Sequence, residues 1–243
     1  MAAQNQTIVL ITGANQGIGF ETAKKLAKEN PGYHVLMGSR DAARGTAAAA
    51  KLKAEGLDVE AIAIDVGTDE SIVTAASEVA TKFGRLDVLI NNAGIANDNE
   101  YIPGKTSIRD VMLKGFNTNV FGAMQCFETF KPLLEKSENP RVVFISSSLA
   151  SFGVGASWSP GEYPIYRSTK SAMNTIVLQY AHLYREKGFK INLCCPGYVA
   201  SNLNSYAGTG TLESGAINPV RLATLGKDGE TGTFSNKEGP LPW

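Results

Sequence analysis

The sequence predicts an α/β fold: a single doubly wound parallel sheet of about seven strands with helices on both faces. Short β-branched runs alternate with longer helical stretches along most of the 243 residues. The runs are apolar at consecutive positions, where a strand with one wet face would alternate, so both faces of the sheet must be covered. No repeat or low-complexity linker divides the chain, and residues 1–243 read as one domain.

Strands are predicted at residues 7–11, 34–38, 60–64, 87–91, 141–146 and 190–195. The first helix, 17–29, stops at Asn30-Pro31-Gly32, and Asp41 caps a second that ends near Gly56. Thr68, Asp69 and Glu70 open a third with acidic residues at its positive end, running to Phe83 before Gly84. Two longer helices are expected at 107–135 and 166–187. After Pro196 the character changes. Residues 201–215 are rich in Ser, Asn, Gly and Thr and read as a mobile loop, part of a lid over a ligand spanning about residues 200–226.

Composition excludes several function classes. With 23 Lys+Arg against 23 Asp+Glu, the chain lacks the clustered positive charge that nucleic-acid binding requires. Its apolar runs, such as Val142 to Ile145, fall far short of the roughly 20 residues that span a bilayer. Met1 to Thr7 has neither basic leader nor apolar stretch, so the expected location is intracellular, in the cytoplasm. Cys126, Cys194 and Cys195 have no metal-ligand spacing, and adjacent cysteines make a poor bridge; they read as small buried apolar residues. No metal site is expected from His34 and His182. Gly155 to Ser159 approaches a nucleophile elbow, but Ser159 stands where the second glycine belongs.

Directly after the first strand comes Thr12-Gly13-Ala14-Asn15-Gln16-Gly17-Ile18-Gly19. Glycines at this turn let backbone N–H groups approach a pyrophosphate at a helix N-terminus. The second strand ends Ser39-Arg40, with no acid to hold the free 2′-hydroxyl of NAD and with an arginine suited to the 2′-phosphate of NADP. The alternative is a surface arginine pairing with Asp41. At the end of the third strand, Asp65 and Val66 either meet the adenine edge or Asp65 caps the following turn. Asn91-Asn92-Ala93-Gly94 and Pro196-Gly197 close two further strands, where ligands bind in such sheets.

Tyr166 and Lys170 stand four apart at the start of a predicted helix, so phenol and ammonium share one face. A lysine cation beside the phenol would lower its pKa from near 10 toward the range useful for proton transfer. With Thr12-Gly13-x3-Gly17-x-Gly19, Asn91 to Gly94, Ile145-Ser146-Ser147, Tyr166-x3-Lys170 and Pro196-Gly197 in this order, the chain resembles the short-chain dehydrogenase/reductase family. Gly38 to Asp41, Leu86 to Ile95 and Thr118 to Gly122 are most similar to its carbonyl reductase and sniffer-like branch.

The resemblance implies a Rossmann fold and a catalytic tetrad of Asn119, Ser147, Tyr166 and Lys170. Tyr166 would give its proton to a carbonyl oxygen that Ser147 holds. Lys170 would bind the nicotinamide ribose, and Asn119 a water joining Lys170 to solvent. Cofactor contacts are expected from Gly13, Asn15, Gln16, Gly17, Ile18, Gly19, Arg40, Asp65, Val66, Asn92, Ala93, Gly94, Tyr166, Lys170, Pro196, Gly197, Val199 and Ser201. NADP(H) is favoured over NAD(H), although Gln16 replaces the lysine of many NADP-using relatives. Ser148 is the alternative register for the serine, and Ser201 stands where relatives often carry threonine.

Phe152, Val154, Trp158, Pro160 and Pro164 lie between Ser147 and Tyr166 and suggest an apolar wall, hence a hydrophobic ketone, aldehyde or quinone as substrate. The helices at 107–135 and 166–187 are free to form the family's homodimer interface, with tetramer or monomer as alternatives. A non-catalytic NADP-binding sensor or scaffold of the same fold, and a hydrolase using a loop serine, are the competing readings.

Overall fold

The computed structural model describes residues 6–155 and 162–243. Strands β1 (Thr7–Ile11), β2 (Tyr33–Ser39), β3 (Val59–Ala63), β4 (Val88–Asn91), β5 (Arg141–Ile145), β6 (Lys190–Cys194), β7 (Phe234–Asn236) and β8 (Gly239–Pro240) form one sheet in the order β3-β2-β1-β4-β5-β6-β7-β8. All pairs are parallel except β7 with β8. Ile11 lies opposite both Met37 and Ile90, which brings the carboxyl ends of β1, β2 and β4 level. The order reverses between β1 and β4, and the crevice outside their ends is where a ligand enters such a sheet.

Helices α1 (Gly17–Glu29), α2 (Ala42–Ala54) and α8 (Leu212–Ala223) cover one face, burying Leu26, Leu52 and Val220 against Val9, Ile90 and Val143. Helices α3 (Asp69–Phe83), α5 (Ala123–Leu134) and α7 (Pro164–Tyr184) cover the other, burying Ile72, Phe127 and Val177 against Ile8, Leu89 and Phe144. Each face shields its strands from water, as the unbroken apolar runs require. Two shorter helices, α4 (Ile108–Phe116) and α6 (Phe152–Gly155), complete the set. None of the described helices is long and apolar enough to cross a membrane.

Three expectations are corrected. The helix expected over 107–135 runs on from Ile108 to Leu134 but is not α throughout: a wide π turn, Asn117–Gly122, joins α4 to α5, and Gly122 in it packs so closely on the Val66 carbonyl that a Cβ would clash. Residues 201–215 are not one loose loop. Thr211 caps α8 through the Ser214 N–H at 3.2 Å, and Ala216, Val220 and Ala223 of that helix are buried. Gly215 and Pro219 conceal the helical pattern in the sequence. Ahead of it, Ala200 donates to the Gly210 carbonyl and Gly210 to that of Tyr198, which closes the segment on itself. Finally, β7 and β8 add strands beyond the six placed individually; they are too short and polar to show a run.

Asp87, just before β4, is 7% exposed and fastens three segments. Its carboxylate accepts from the Ile8 N–H at 2.8 Å, the Ser137 hydroxyl at 2.6 Å and the Arg85 guanidinium at 3.2 Å. Truncation leaves a buried N–H and a guanidinium without that partner, a loss of about 3 kcal/mol. We predict that Asp87→Ala lowers the melting temperature by about 5–10 °C in a thermal scan, whereas Glu78→Ala on the surface leaves it nearly unchanged.

Candidate active site

A cavity of about 630 Å³ runs along the carboxyl edge of the sheet. Its floor begins at the turn after β1. Gly13 adopts φ +64° and Gly17 φ +59°, conformations in which a side chain is strained. A Cβ on Gly19 would sit 2.5 Å from Asn92 Nδ2 and 2.6 Å from the Gly13 carbonyl. The loop is therefore pressed against the end of β4. Asn92 Nδ2 donates to the Thr12 and Gly13 carbonyls, and the Thr12 hydroxyl accepts from the N–H groups of Asn92 and Ala93. Asn92 thus shapes the loop as well as lining the cavity.

Helix α1 starts here with Gln16 as an uncapping neighbour and no acid in its first turn. Its N–H groups and positive dipole end face the cavity, an arrangement that favours an anion. Asn15, Gln16, Ile18, Val66, Ala93, Gly94, Pro196, Gly197, Val199 and Ser201 all border the same space. Asp65 does too, but its Oδ1 accepts from the Gly67 N–H at 2.9 Å, so the turn-capping alternative is realised.

Arg40 lies on the cavity wall and has no ion-pair partner among the described residues. Asp41, its considered partner, is taken by Arg44: the Arg44 N–H meets Asp41 Oδ1 at 3.0 Å and its Nε meets Oδ2 at 3.3 Å. Arg44 also lines the cavity. Sequence reading missed it, although its spacing of four from Arg40 at a helix start was a visible signal.

At the other end, Tyr166 and Lys170 project from α7 and both are buried. Ser147, beyond β5, meets the phenol of Tyr166, while Ser148 N–H donates instead to Cys195 Sγ at 3.1 Å. Ser147 is therefore the serine facing the tyrosine. Lys170 Nζ donates to the Ile145 carbonyl at 2.7 Å and stands 5.8 Å from the Tyr166 ring centre. Burial lowers its pKa to about 8.

Burial likewise pushes the Tyr166 phenol well above its usual range. Cys195 and Asp98 add to this, and the bond with Ser147 opposes it. The sequence expectation was a phenol lowered by Lys170. Desolvation wins here because the lysine is itself desolvated and spends a proton on Ile145. At neutral pH the phenol keeps its proton.

Asn119, in the π turn, is turned away from the cavity. Its Oδ1 accepts from the Ile95 N–H at 2.8 Å, and its Nδ2 donates to the Ile95 carbonyl and to Thr169 Oγ1. Its amide is engaged by protein, yet Gly94 leaves a gap toward Lys170: a Cβ there would lie 3.2 Å from Asn119 Oδ1 and 3.5 Å from Lys170 Nζ.

The apolar wall differs from expectation. Phe152 is 82% exposed and does not border the cavity. Ile95, Leu149, Tyr163, Tyr198 and Leu203 do. Trp158, Pro160 and the residues resembling a nucleophile elbow, 156–159, lie outside the described residues.

Comparison with known families decides what this arrangement belongs to. Residues 7–211 match the short-chain dehydrogenase family model. The chain belongs to the short-chain dehydrogenase/reductase family. It is 40% identical to the short-chain dehydrogenase/reductase ATR10 of Stachybotrys chlorohalonatus, over 97% of this chain and 94% of that one. It is 30% identical to (+)-neomenthol dehydrogenase of Arabidopsis thaliana, over 93% and 94%. Among solved structures, the NADPH-bound carbonyl reductase from chicken fatty liver superposes with a TM-score of 0.85 at 26% identity, covering 98% of this chain and 100% of that one. As a family member the chain is an oxidoreductase with a Rossmann fold and a nicotinamide cofactor, and the glycine cradle and free α1 N-terminus fit that group.

The buried ammonium makes a stability prediction. A shift from 10.5 to about 8 corresponds to a penalty of roughly 3 kcal/mol on charged Lys170 in the folded state. Lys170→Met should raise the melting temperature at pH 7 while abolishing turnover. Between pH 8 and 10.5 the unfolded wild type holds the proton that the folded form has lost, so wild-type stability rises across that window. The advantage of the variant shrinks accordingly, which thermal scans at pH 7 and pH 10 would measure.

Proposed function

We propose that the protein reduces an apolar ketone, aldehyde or quinone to the alcohol with NADPH, reversibly, with Tyr166 as proton donor. The observation that carries this reading is a protonated, buried phenol against Ser147 at one end of a cavity whose other end carries the unpaired Arg40. Bound nicotinamide dinucleotide supplies the hydride. Ser147 hydrogen-bonds the substrate oxygen as negative charge develops on it, and Tyr166 delivers the proton there. Lys170 stands near enough to stabilise the phenolate left behind.

The preference for NADPH rests on Arg40 and Arg44 with no acid at the end of β2, and the chicken relative binds the same cofactor. The apolar substrate rests on Leu149, Tyr163, Tyr198 and Leu203, and the Arabidopsis relative is named a (+)-neomenthol dehydrogenase. A cytoplasmic homodimer is part of the same reading. It would use α4, α5 and α7, whose Leu113 and Leu183 are exposed.

Two variants test the proposal in a coupled absorbance assay with a ketone, aldehyde and quinone panel. Tyr166→Phe should lose about a hundredfold to ten-thousandfold in kcat with NADPH still bound, and full retained activity would exclude the mechanism. Arg40→Asp should shift the NADPH over NADH ratio of kcat/KM by about tenfold to a hundredfold toward NADH. An unchanged ratio would remove Arg40 from cofactor choice.

A further inference from the structure

Helix α7 begins in an unusual way. Its N-cap residue is Tyr163, held at φ 51°, with a side chain that makes no capping hydrogen bond. An α-helix leaves its first N–H groups without intrahelical partners, and a Ser, Thr, Asp or Asn at the cap normally supplies one. Each group here is accounted for differently. Pro164 has no N–H. Arg167 donates to the Tyr163 carbonyl at 2.9 Å. The two between them, Ile165 and Tyr166, donate to Asp98 Oδ1 at 2.7 Å and Oδ2 at 3.1 Å. One carboxylate, distant in sequence, therefore replaces the local cap and grips the backbone of Tyr166 itself.

Asp98 is in turn held in place. The loop from β4 is tied to the π turn through Ile95 and Asn119, and Asn97, 3% exposed, donates to the Val111 carbonyl at 2.8 Å. The Asp98 carbonyl accepts from the Tyr101 N–H. Asn119 reaches α7 a second time through Thr169, whose hydroxyl donates to the Tyr166 carbonyl at 2.7 Å. The turn of α7 that carries the phenol is thus bracketed by Asp98 on its N–H side and Thr169 on its C=O side.

We propose that Asp98 is a positioning residue for the reaction: its carboxylate sets the height and angle of Tyr166 from the cavity loop. The proposal rests on the reading of Tyr166 as the proton donor. A carboxylate at a helix N-terminus is favourable to the helix and unfavourable to an anion beside it, so one charge serves both ends. The charged or titratable groups facing the phenol are Lys170 on its own helix, Cys195 at the end of β6 and Asp98 on the loop. Burial dominates the phenol's raised pKa and Asp98 adds the smallest share, so removing its charge eases proton loss without leaving the phenol ionised at neutral pH.

The test compares wild type with Asp98→Ala, Asp98→Asn and Tyr166→Phe, measuring thermal stability, NADPH affinity by fluorescence, and kcat for reduction against pH. Ultraviolet titration of phenolate, with Tyr166→Phe subtracted, follows Tyr166 without reference to turnover. Asp98→Ala should lower kcat by about tenfold to a hundredfold with NADPH affinity retained. Asp98→Asn keeps one acceptor and should recover part of kcat. Both should move the alkaline limb of reduction, and the phenol titration, to lower pH. If Asp98→Ala does not fold, Asp98→Asn carries the same two readouts. Folded variants that lose only stability, with wild-type kcat and an unmoved alkaline limb, would overturn the proposal. Full activity in Tyr166→Phe would instead overturn the donor reading, an outcome recognisable independently of Asp98.

Discussion

The close contact between the turn after β1 and the end of β4 is the constraint on which the site depends. Parallel strands stop together at one edge of the sheet, and their last N–H and C=O groups need partners that no neighbouring strand provides. Thr12 and Asn92 supply them to each other's backbone, at a separation that leaves no room for a side chain on Gly19. The α1 N-terminus beside this contact has no side-chain cap and no acid in its first turn, and its positive end borders the cavity. The same economy recurs one loop further on, where Asn119 is spent on Ile95 and Asp98 on α7.

Electrostatic cost is concentrated at the opposite end. Tyr166 and Lys170 are both buried, and burial acts on them in opposite senses, raising the phenol and lowering the ammonium. Their neutral forms are both favoured by the same apolar surroundings. A proton transfer from Tyr166 to a substrate oxygen creates an anion in that environment, and the lysine then gains from keeping its proton. Stability given up by a buried ammonium that has a backbone carbonyl, and no carboxylate among the described residues, for a partner is the kind of local cost that reactive sites carry and cores avoid.

The fold was legible because its signals are local: consecutive apolar runs, Asn30-Pro31-Gly32, Asp41 as a cap and Gly84 in a left-handed turn each act within a few residues. That Tyr166, Lys170 and the glycines line one cavity was legible for a related reason, since each follows from spacing within one helix or turn, whereas Ser147 came from the family resemblance. What sequence reading missed depends on long-range contact. Nothing near Gly122 announces the Val66 carbonyl that packs against it in the π turn. Asp98 follows no spacing rule relative to Tyr166, and no local pattern could identify it as that helix's cap. The pKa of Tyr166 was read with the wrong sign because a pairwise argument from Lys170 omits desolvation, which a sequence does not display.

The balanced overall charge and the expected anionic cofactor are reconciled at Arg40. A chain with as many acids as bases can still offer a local positive site if its acids are occupied elsewhere. Asp41 is the nearest competitor. It lines the same cavity but is committed twice over, as the cap of α2 and as the ion-pair partner of Arg44. The helix start therefore does two jobs with one residue: it stabilises α2 and it leaves a guanidinium free on the cavity wall. An acid at position 40 would face the same wall with the opposite sign, which is why the proposed choice between the two nicotinamide cofactors is tested at this position.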